Sequence, residues 1–221
     1  MIIALDIETI PNADMIARLP EPEVALGNLV DPAKIAAKKE AAKSKQVEAM
    51  ALDPLYGRVC CVCLVREDGA TETIMPESAT DENERSVIVQ VLDTIRNPEA
   101  RLVTWNGNGF DMPFLYRRAM ILGVSPSYIG APPLSAWTKK YGNDKHIDMM
   151  HIWCGDTGNK FASLESVASA ILGEGKNEHD FAEFPAMMQT PEGRAKIGEY
   201  CLQDTRLTFK LYEKAQGCLF A

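Results

Sequence analysis

An unbroken apolar run near the start of the chain, Ile2-Ile3-Ala4-Leu5, passes directly into Asp6-Ile7-Glu8, and this junction restricts the folds open to the chain. Such a run reads as a strand buried on both faces, the kind found in sheets covered by helices on either side. Side chains alternate across a strand, so Asp6 and Glu8 face the same way. A buried strand has no packing use for two anions, and uncompensated buried charge is costly. No Lys or Arg lies within the run to offset them. A hard divalent cation such as Mg²⁺, which takes carboxylate oxygens, is the natural counter-ion. The competing reading ends the strand at Leu5 and leaves both acids solvated in the turn before Pro11.

At 221 residues the chain suits one α/β domain with a substantial core and is short for two. It has no apolar stretch long enough to cross a bilayer and no signal-peptide pattern at its start, so a cytoplasmic location without a membrane partner is expected. Six cysteines show no disulfide-framework spacing, and three of them, Cys60, Cys61 and Cys63, crowd one predicted strand. Reduced, buried thiols are expected rather than bridges or zinc ligands. His146 and His151 lie near Cys154 without a zinc-site spacing. A formal charge of −8 argues against nucleic acid only superficially, because carboxylates gathered around divalent cations enter that count and the bound ions cancel them locally.

Asp31-Pro32 is a strong helix start, with Asp as N-cap and Pro in the first turn. The Ala-, Lys- and Glu-rich stretch to about Met50 continues that helix, and its five lysines make it either a solvated surface helix or a phosphate-contacting arm. Residues 58–65 read as a buried strand, turning at Glu67-Asp68-Gly69 into a partner at 71–75. A helix capped by Thr80 or Asp81 runs to about Arg96, and a strand at 101–105 enters Asn106-Gly107-Asn108-Gly109. Asp111 opens a helix ending at Gly123; 126–143 reads as an irregular surface connection, and 146–150 as a short last strand. A helix capped at Ser163, a loop through His179 to Pro185, and a long helix from Thr190-Pro191 to about Gln216 complete a mixed sheet with helices on both faces.

Sites in open α/β sheets form outside the carboxyl ends of strands. Asp6 and Glu8 end the first strand in this reading and Asp111 follows the strand at 101–105, so the three meet if those strands are parallel. Gly107 and Gly109 suit a tight turn with positive φ or a close backbone approach to a ligand. Tyr200 and Asp204, four residues apart, share one face of the last helix. Asp111 also reads as an ordinary helix N-terminal acid, and Tyr200 with Asp204 as surface residues.

Together these residues carry a resemblance. Ala4-Leu5-Asp6-Ile7-Glu8-Thr9, Asn106-Gly107-Asn108-Gly109-Phe110-Asp111 and Tyr200-Cys201-Leu202-Gln203-Asp204 resemble, in order, the three exonuclease motifs of the DEDD superfamily. Tyr four residues before Asp204 is similar to the tyrosine branch, and Glu199 stands where the other branch needs His. Asp53-Pro54-Leu55-Tyr56-Gly57-Arg58-Val59, Ile147-Asp148 and Leu164-Glu165-Ser166-Val167-Ala168 resemble the proofreading exonuclease domain of family-B DNA polymerases. The resemblance implies a ribonuclease H-like five-stranded mixed sheet in a single domain over 1–221, with the Lys-rich helix at about 31–50 as an insertion. It implies a 3′-5′ exonuclease using two Mg²⁺ or Mn²⁺ ions, with Asp6 bridging them, Glu8 and Asp204 completing one, Asp111 helping to hold the other, and Tyr200 orienting the attacking water. It places Asn106, Phe110 and the backbone at Thr9 and Ile10 against the substrate.

The implied partner is nucleic acid with a free 3′ end, single-stranded DNA favoured, with a replication or repair complex as a further partner. Arg117, Arg118, Lys139 and Lys140 are candidate backbone contacts. An exoribonuclease with the same site, or a non-catalytic interaction module on the same fold, are the alternatives.

Overall fold

The computed structural model describes residues 1–138, 145–155, 162–175 and 180–219. Strand β1 (Ile2–Pro11) is followed by a 3-10 turn (Ala13–Arg18) and helix α1 (Pro32–Ala49). The Asp31 carboxylate caps α1 by accepting from the amides of Ala33 and Lys34. A second 3-10 turn (Met50–Leu52) leads into the hairpin of β2 (Gly57–Arg66) and β3 (Thr71–Ile74), then α2 (Asp81–Ile95), β4 (Arg101–Thr104) and α3 (Asp111–Ile121). Two short helices, α4 (Pro126–Ile129) and α5 (Leu134–Trp137), precede β5 (His146–Asp148), α6 (Met149–Cys154), α7 (Leu164–Leu172), α8 (Phe184–Met187) and α9 (Pro191–Ala215).

The five strands form one sheet in the order β3-β2-β1-β4-β5. The hairpin side is antiparallel, while β1, β4 and β5 run parallel. The mixed five-stranded sheet inferred from the sequence is therefore present. Alternation along β1 divides the molecule. Ile3, Leu5 and Ile7 pack with α2 and α3 residues such as Ile88, Leu92 and Phe114 on one face. Ala4 packs with α7 and α9 residues on the other, where Cys61, Cys63, Tyr200 and Cys201 form an adjoining cluster. Asp6 and Glu8 belong to this second face, the one α9 covers.

Several sequence expectations need correction. Strand β1 does not stop at Glu8 but continues to Pro11, so both acids sit mid-strand, held by pairing of Asp6 with Cys63 and Glu8 with Cys61. The register shifts just after Glu8, where Thr9 pairs with Val59 and Cys60 is the extra residue. The described part of 126–143 is not an irregular surface connection: α4 and α5 lie there, and Trp137 is fully buried with its indole N–H donating to Tyr116 Oη. The last strand ends at Asp148 and α6 begins at once. Within the expected loop before Pro185, a 3-10 turn (Phe181–Glu183) and the start of α8 supply Phe181 and Phe184. Lys139, Lys140 and His179 lie outside the described residues.

Arg118 is not a surface cation. Its guanidinium is 2% exposed and grips both carboxylate oxygens of Glu84, through Nε at 2.8 Å and Nη2 at 2.6 Å. Glu84 also accepts from the Val59 amide, so α2, α3 and β2 share one buried ion pair. Helix α1, by contrast, buries no residue. Lys38 donates to the Ala25 carbonyl and Lys43 pairs with Glu21, which ties the helix to the preceding segment. Among the described residues no helix is long and apolar enough to cross a membrane.

Candidate active site

The site is assembled on β1 because that strand outruns its parallel neighbour. β4 pairs only with Ile2–Ala4, so beyond Ala4 one edge of β1 has no strand beside it. Buried backbone N–H groups demand partners. Asp111, in the first turn of α3, supplies one: its Oδ1 accepts from the Ile7 amide at 3.2 Å. The second acid motif is thereby fixed to the strand between the two acids of the first. Asp111 is 2% exposed, and desolvation pushes its carboxyl up to about 7, with the Asp148 charge adding to the rise and the amides of Asp111 and Ile7 opposing it.

The loop that delivers Asp111 is held by an acid outside the expected set. Asp148, at the end of β5, accepts from the amides of Asn106 at 3.1 Å, Asn108 at 2.9 Å and His151 at 3.1 Å. Positive φ falls on Asn106 (71°) rather than on Gly107 or Gly109. The glycines serve close approach within the loop itself: a Cβ on Gly107 would lie 2.2 Å from Thr104 Oγ1, and one on Gly109 2.6 Å from Asn106 Oδ1. Thr104 Oγ1 accepts from the Gly107 amide and meets His146 Nε2 at 2.8 Å, while His146 Nδ1 meets the Trp137 carbonyl at 2.6 Å. His146 is thus a buried structural histidine, its pKa lowered by desolvation, with both ring nitrogens engaged. It is not a zinc ligand with Cys154.

From the other side, α9 brings Tyr200, Cys201 and Asp204 over β1. Thr190 caps this helix by accepting from the Gly193 amide, and Pro191 opens it. Tyr200 is 4% and Asp204 4% exposed. Ligand atoms of Asp6, Glu8 and Cys201 lie within 4.8 Å of one another. Burial drives the Tyr200 hydroxyl well above its ordinary range, and the charges of Asp204, Glu8 and Asp6 drive it further. Three expected carboxylates therefore act on one phenol. Asp111 is placed beside them through Ile7 and is not one of the group that crowds Cys201.

The expected substrate residues divide. Thr9 donates its hydroxyl to the Ala51 carbonyl at 2.6 Å, which links β1 to the turn after the Lys-rich helix. The Ile10 side chain is buried in the cluster with Cys60 and Phe184. Asn106 forms the strained corner of the Asp111 loop, and Phe110 packs against Phe114 with ring centroids 5.4 Å apart. Arg117 is exposed. Residues to which the sequence assigns no role also shape the site. Phe181 and Phe184 flank the Tyr200 ring edge-on, at 5.6 and 6.0 Å, and Phe181 is 55% exposed. Cys201 stands three residues before Asp204, the helical spacing that would have flagged it.

Among the described residues, the donors at the site are chiefly carboxylate oxygens on rigid elements. That set suits hard divalent cations, with the Cys201 sulfur a soft atom within 4.8 Å of Asp6 and Glu8.

The model of a family described as predicted 3′-5′ exonuclease related to the exonuclease domain of PolB matches residues 52–218. The match starts beyond Asp6, Glu8 and the Lys-rich helix. DNA polymerase 1 of Aeropyrum pernix is 31% identical over 174 residues, covering 72% of this chain and 17% of that protein. A DNA polymerase of Thermococcus aggregans is 28% identical over 140 residues, covering 58% of this chain and 8% of that protein. The chain thus spans less than a fifth of the length of either relative. The family B DNA polymerase of Pyrobaculum calidifontis superposes with a TM-score of 0.63 at 21% identity, over 97% of this chain and 24% of that one, which shows a shared ribonuclease H-like fold.

Proposed function

The chain belongs to the family of predicted 3′-5′ exonucleases related to the exonuclease domain of PolB, and on that premise we propose that it hydrolyses phosphodiester bonds at the 3′ end of single-stranded DNA, releasing nucleoside monophosphates. Exonuclease domains of this kind depend on divalent metal. Two Mg²⁺ or Mn²⁺ ions are proposed here, held by Asp6, Glu8, Asp204 and Asp111. The observation that carries the reading is that Asp6 and Glu8 on β1 bring ligand atoms within 4.8 Å of Cys201, beside the buried Tyr200 and Asp204 of α9, from a strand and a helix far apart in sequence.

When bound, a divalent pair activates water and neutralises charge on the phosphate being cleaved. The rest falls to the chain. With its pKa raised, Tyr200 keeps its proton at neutral pH and acts as a hydrogen-bond donor rather than a base. It orients an attacking water or a phosphate oxygen, while Phe181 and Phe184 keep its ring from swinging. The two acids of β1 sit on paired strand backbone, so they are positioned before substrate arrives. Phe181 offers a half-exposed aromatic edge against which a terminal base can rest. A replication or repair complex is the proposed setting.

The test is digestion of 5′-labelled single-stranded DNA, duplex DNA and RNA side by side, with Mg²⁺ or Mn²⁺, with EDTA, and with Asp6→Ala as control. Shortening of single-stranded DNA from its 3′ end, stopped by EDTA and reduced at least about 10²-fold in Asp6→Ala, is the expected result. Undiminished cleavage by Asp6→Ala would remove the metal assignment, and preferential digestion of RNA would replace the substrate.

A further inference from the structure

We propose that Cys61, Cys63 and Cys201 form a site for a thiophilic divalent cation of the Zn²⁺ or Cd²⁺ class, lying directly against the Asp6 carboxylate. Strand pairing places Cys63 beside Asp6 and Cys61 beside Glu8, so two thiols and two acids share one face of the sheet. Helix α9 lays Cys201 across them. The three sulfurs lie within 4.8 Å of one another, with Cys61 and Cys63 Sγ 3.9 Å apart. Zinc–sulfur bonds of about 2.3 Å in a tetrahedron set sulfurs about 3.8 Å apart. Cys201 Sγ is also 3.7 Å from Asp6 Oδ2, and a tetrahedral sulfur–oxygen edge is about 3.5 Å. Three thiols thus stand at nearly the spacing of three vertices of a four-coordinate site before any cation enters, and the Asp6 carboxylate adjoins one of them, Cys201.

Thiolate ligands select a different cation from the neighbouring oxygens. Sulfur favours Zn²⁺ and Cd²⁺, whereas Mg²⁺ prefers the carboxylates. The thiols are fully buried and Asp6 is only partly so, which makes the carboxylate side the entrance. Each thiol that ligates releases its proton to solvent, and the cation then carries three thiolates and one carboxylate. Resting on the nuclease reading, the consequence is inhibition: a thiophilic cation engages the same Asp6 that hydrolysis needs, so the chain responds to two classes of cation in opposite directions.

The experiment uses the full chain, stripped of metal by a chelator, with Cys154→Ser and Cys218→Ser removing the thiols outside the buried set. Cd²⁺ is titrated while the ultraviolet thiolate-to-cadmium absorption is followed. The expected result is a band that saturates at one equivalent with the intensity of three thiolates, and that Zn²⁺ displaces. Cys61→Ala and Cys63→Ala, each checked for unchanged circular dichroism, lose at least about 10-fold in Cd²⁺ affinity, the lower end of what even an indirect metal partner costs. Hydrolysis in Mg²⁺ falls with Cd²⁺ occupancy, and Cys63→Ala needs correspondingly more Cd²⁺ for the same loss. Absence of the band, or an unchanged band in both variants, overturns the site. A full band with undiminished hydrolysis overturns the link to Asp6. The absorption needs no turnover, so a protein with the band and no cleavage of any nucleic acid counts against the nuclease reading alone.

Discussion

Replacing Asp111 by Asn should make the metal-free protein more stable while abolishing its activity. The Asp111 carboxyl is raised from 3.8 to about 7 by burial, so above pH 7 the fold holds a charge it would rather not hold. At about 1.36 kcal/mol for each pH unit between those values, the cost at pH 8 is on the order of 4 kcal/mol. Asn keeps an oxygen for the Ile7 amide but brings an NH₂ group whose burial without a partner costs about 1–3 kcal/mol. A net gain of about 2 kcal/mol remains, or roughly 4–8 °C in Tm for a domain of this size.

The sign of the pH dependence is distinctive. A carboxyl with a raised pKa binds its proton more readily folded than unfolded, so wild-type stability falls as pH rises from 3.8 to about 7 and then levels off. The advantage of Asp111→Asn should therefore grow by about 2–3 kcal/mol between pH 5 and pH 8. Urea unfolding of both proteins in EDTA across that range is the assay. Mg²⁺ should stabilise the wild type more than the variant, which keeps Asp6, Glu8 and Asp204, because binding to the native state alone shifts the equilibrium. A variant that is less stable than wild type at pH 8, or whose advantage does not change with pH, would refute the reasoning.

Tyr200→Phe should slow hydrolysis by about 10-fold or more while leaving Mg²⁺-induced stabilisation intact, and the wild-type rate should show no tyrosine inflection between pH 7 and 9; such an inflection would return Tyr200 to the role of base. Arg118→Ala, which strands the buried Glu84 carboxylate, should cost about 3–5 kcal/mol in denaturant unfolding, and a loss under about 1 kcal/mol would mean the pair is solvated. Charge reversal at Lys39 and Lys45, two exposed lysines of α1, should weaken DNA binding and flatten its salt dependence; an unchanged slope of affinity against salt would make α1 plain surface.

Much of the sheet was legible because its strands carry strong local signals. The apolar run into Asp6, the unbroken 58–65 strand and the Asp31-Pro32 and Thr190-Pro191 caps each depend on residues close in sequence. What escaped depends on partners far away. Arg118 looks like a surface cation until Glu84 arrives from another helix. Asp148 looks like the end of a short strand, and its hold on Asn106 and Asn108 exists only once β4 and β5 lie parallel. The glycines of the Asp111 loop were read as sites of positive φ or ligand approach, yet their necessity comes from Thr104 and Asn106 pressing on them. Cys201 was hidden by its own chemistry, since a buried thiol in a helix passes for an ordinary small hydrophobe.

The alternation along β1 makes activity a reporter of correct folding. Ile3, Leu5 and Ile7 fill one core while Asp6 and Glu8 face α9. A slip of one residue in strand pairing would exchange the two sets, driving both acids into the apolar cluster of α2 and α3. A one-residue slip therefore loses the core and the site together. A chain slipped in this way has neither a packed core nor a pair of acids facing α9.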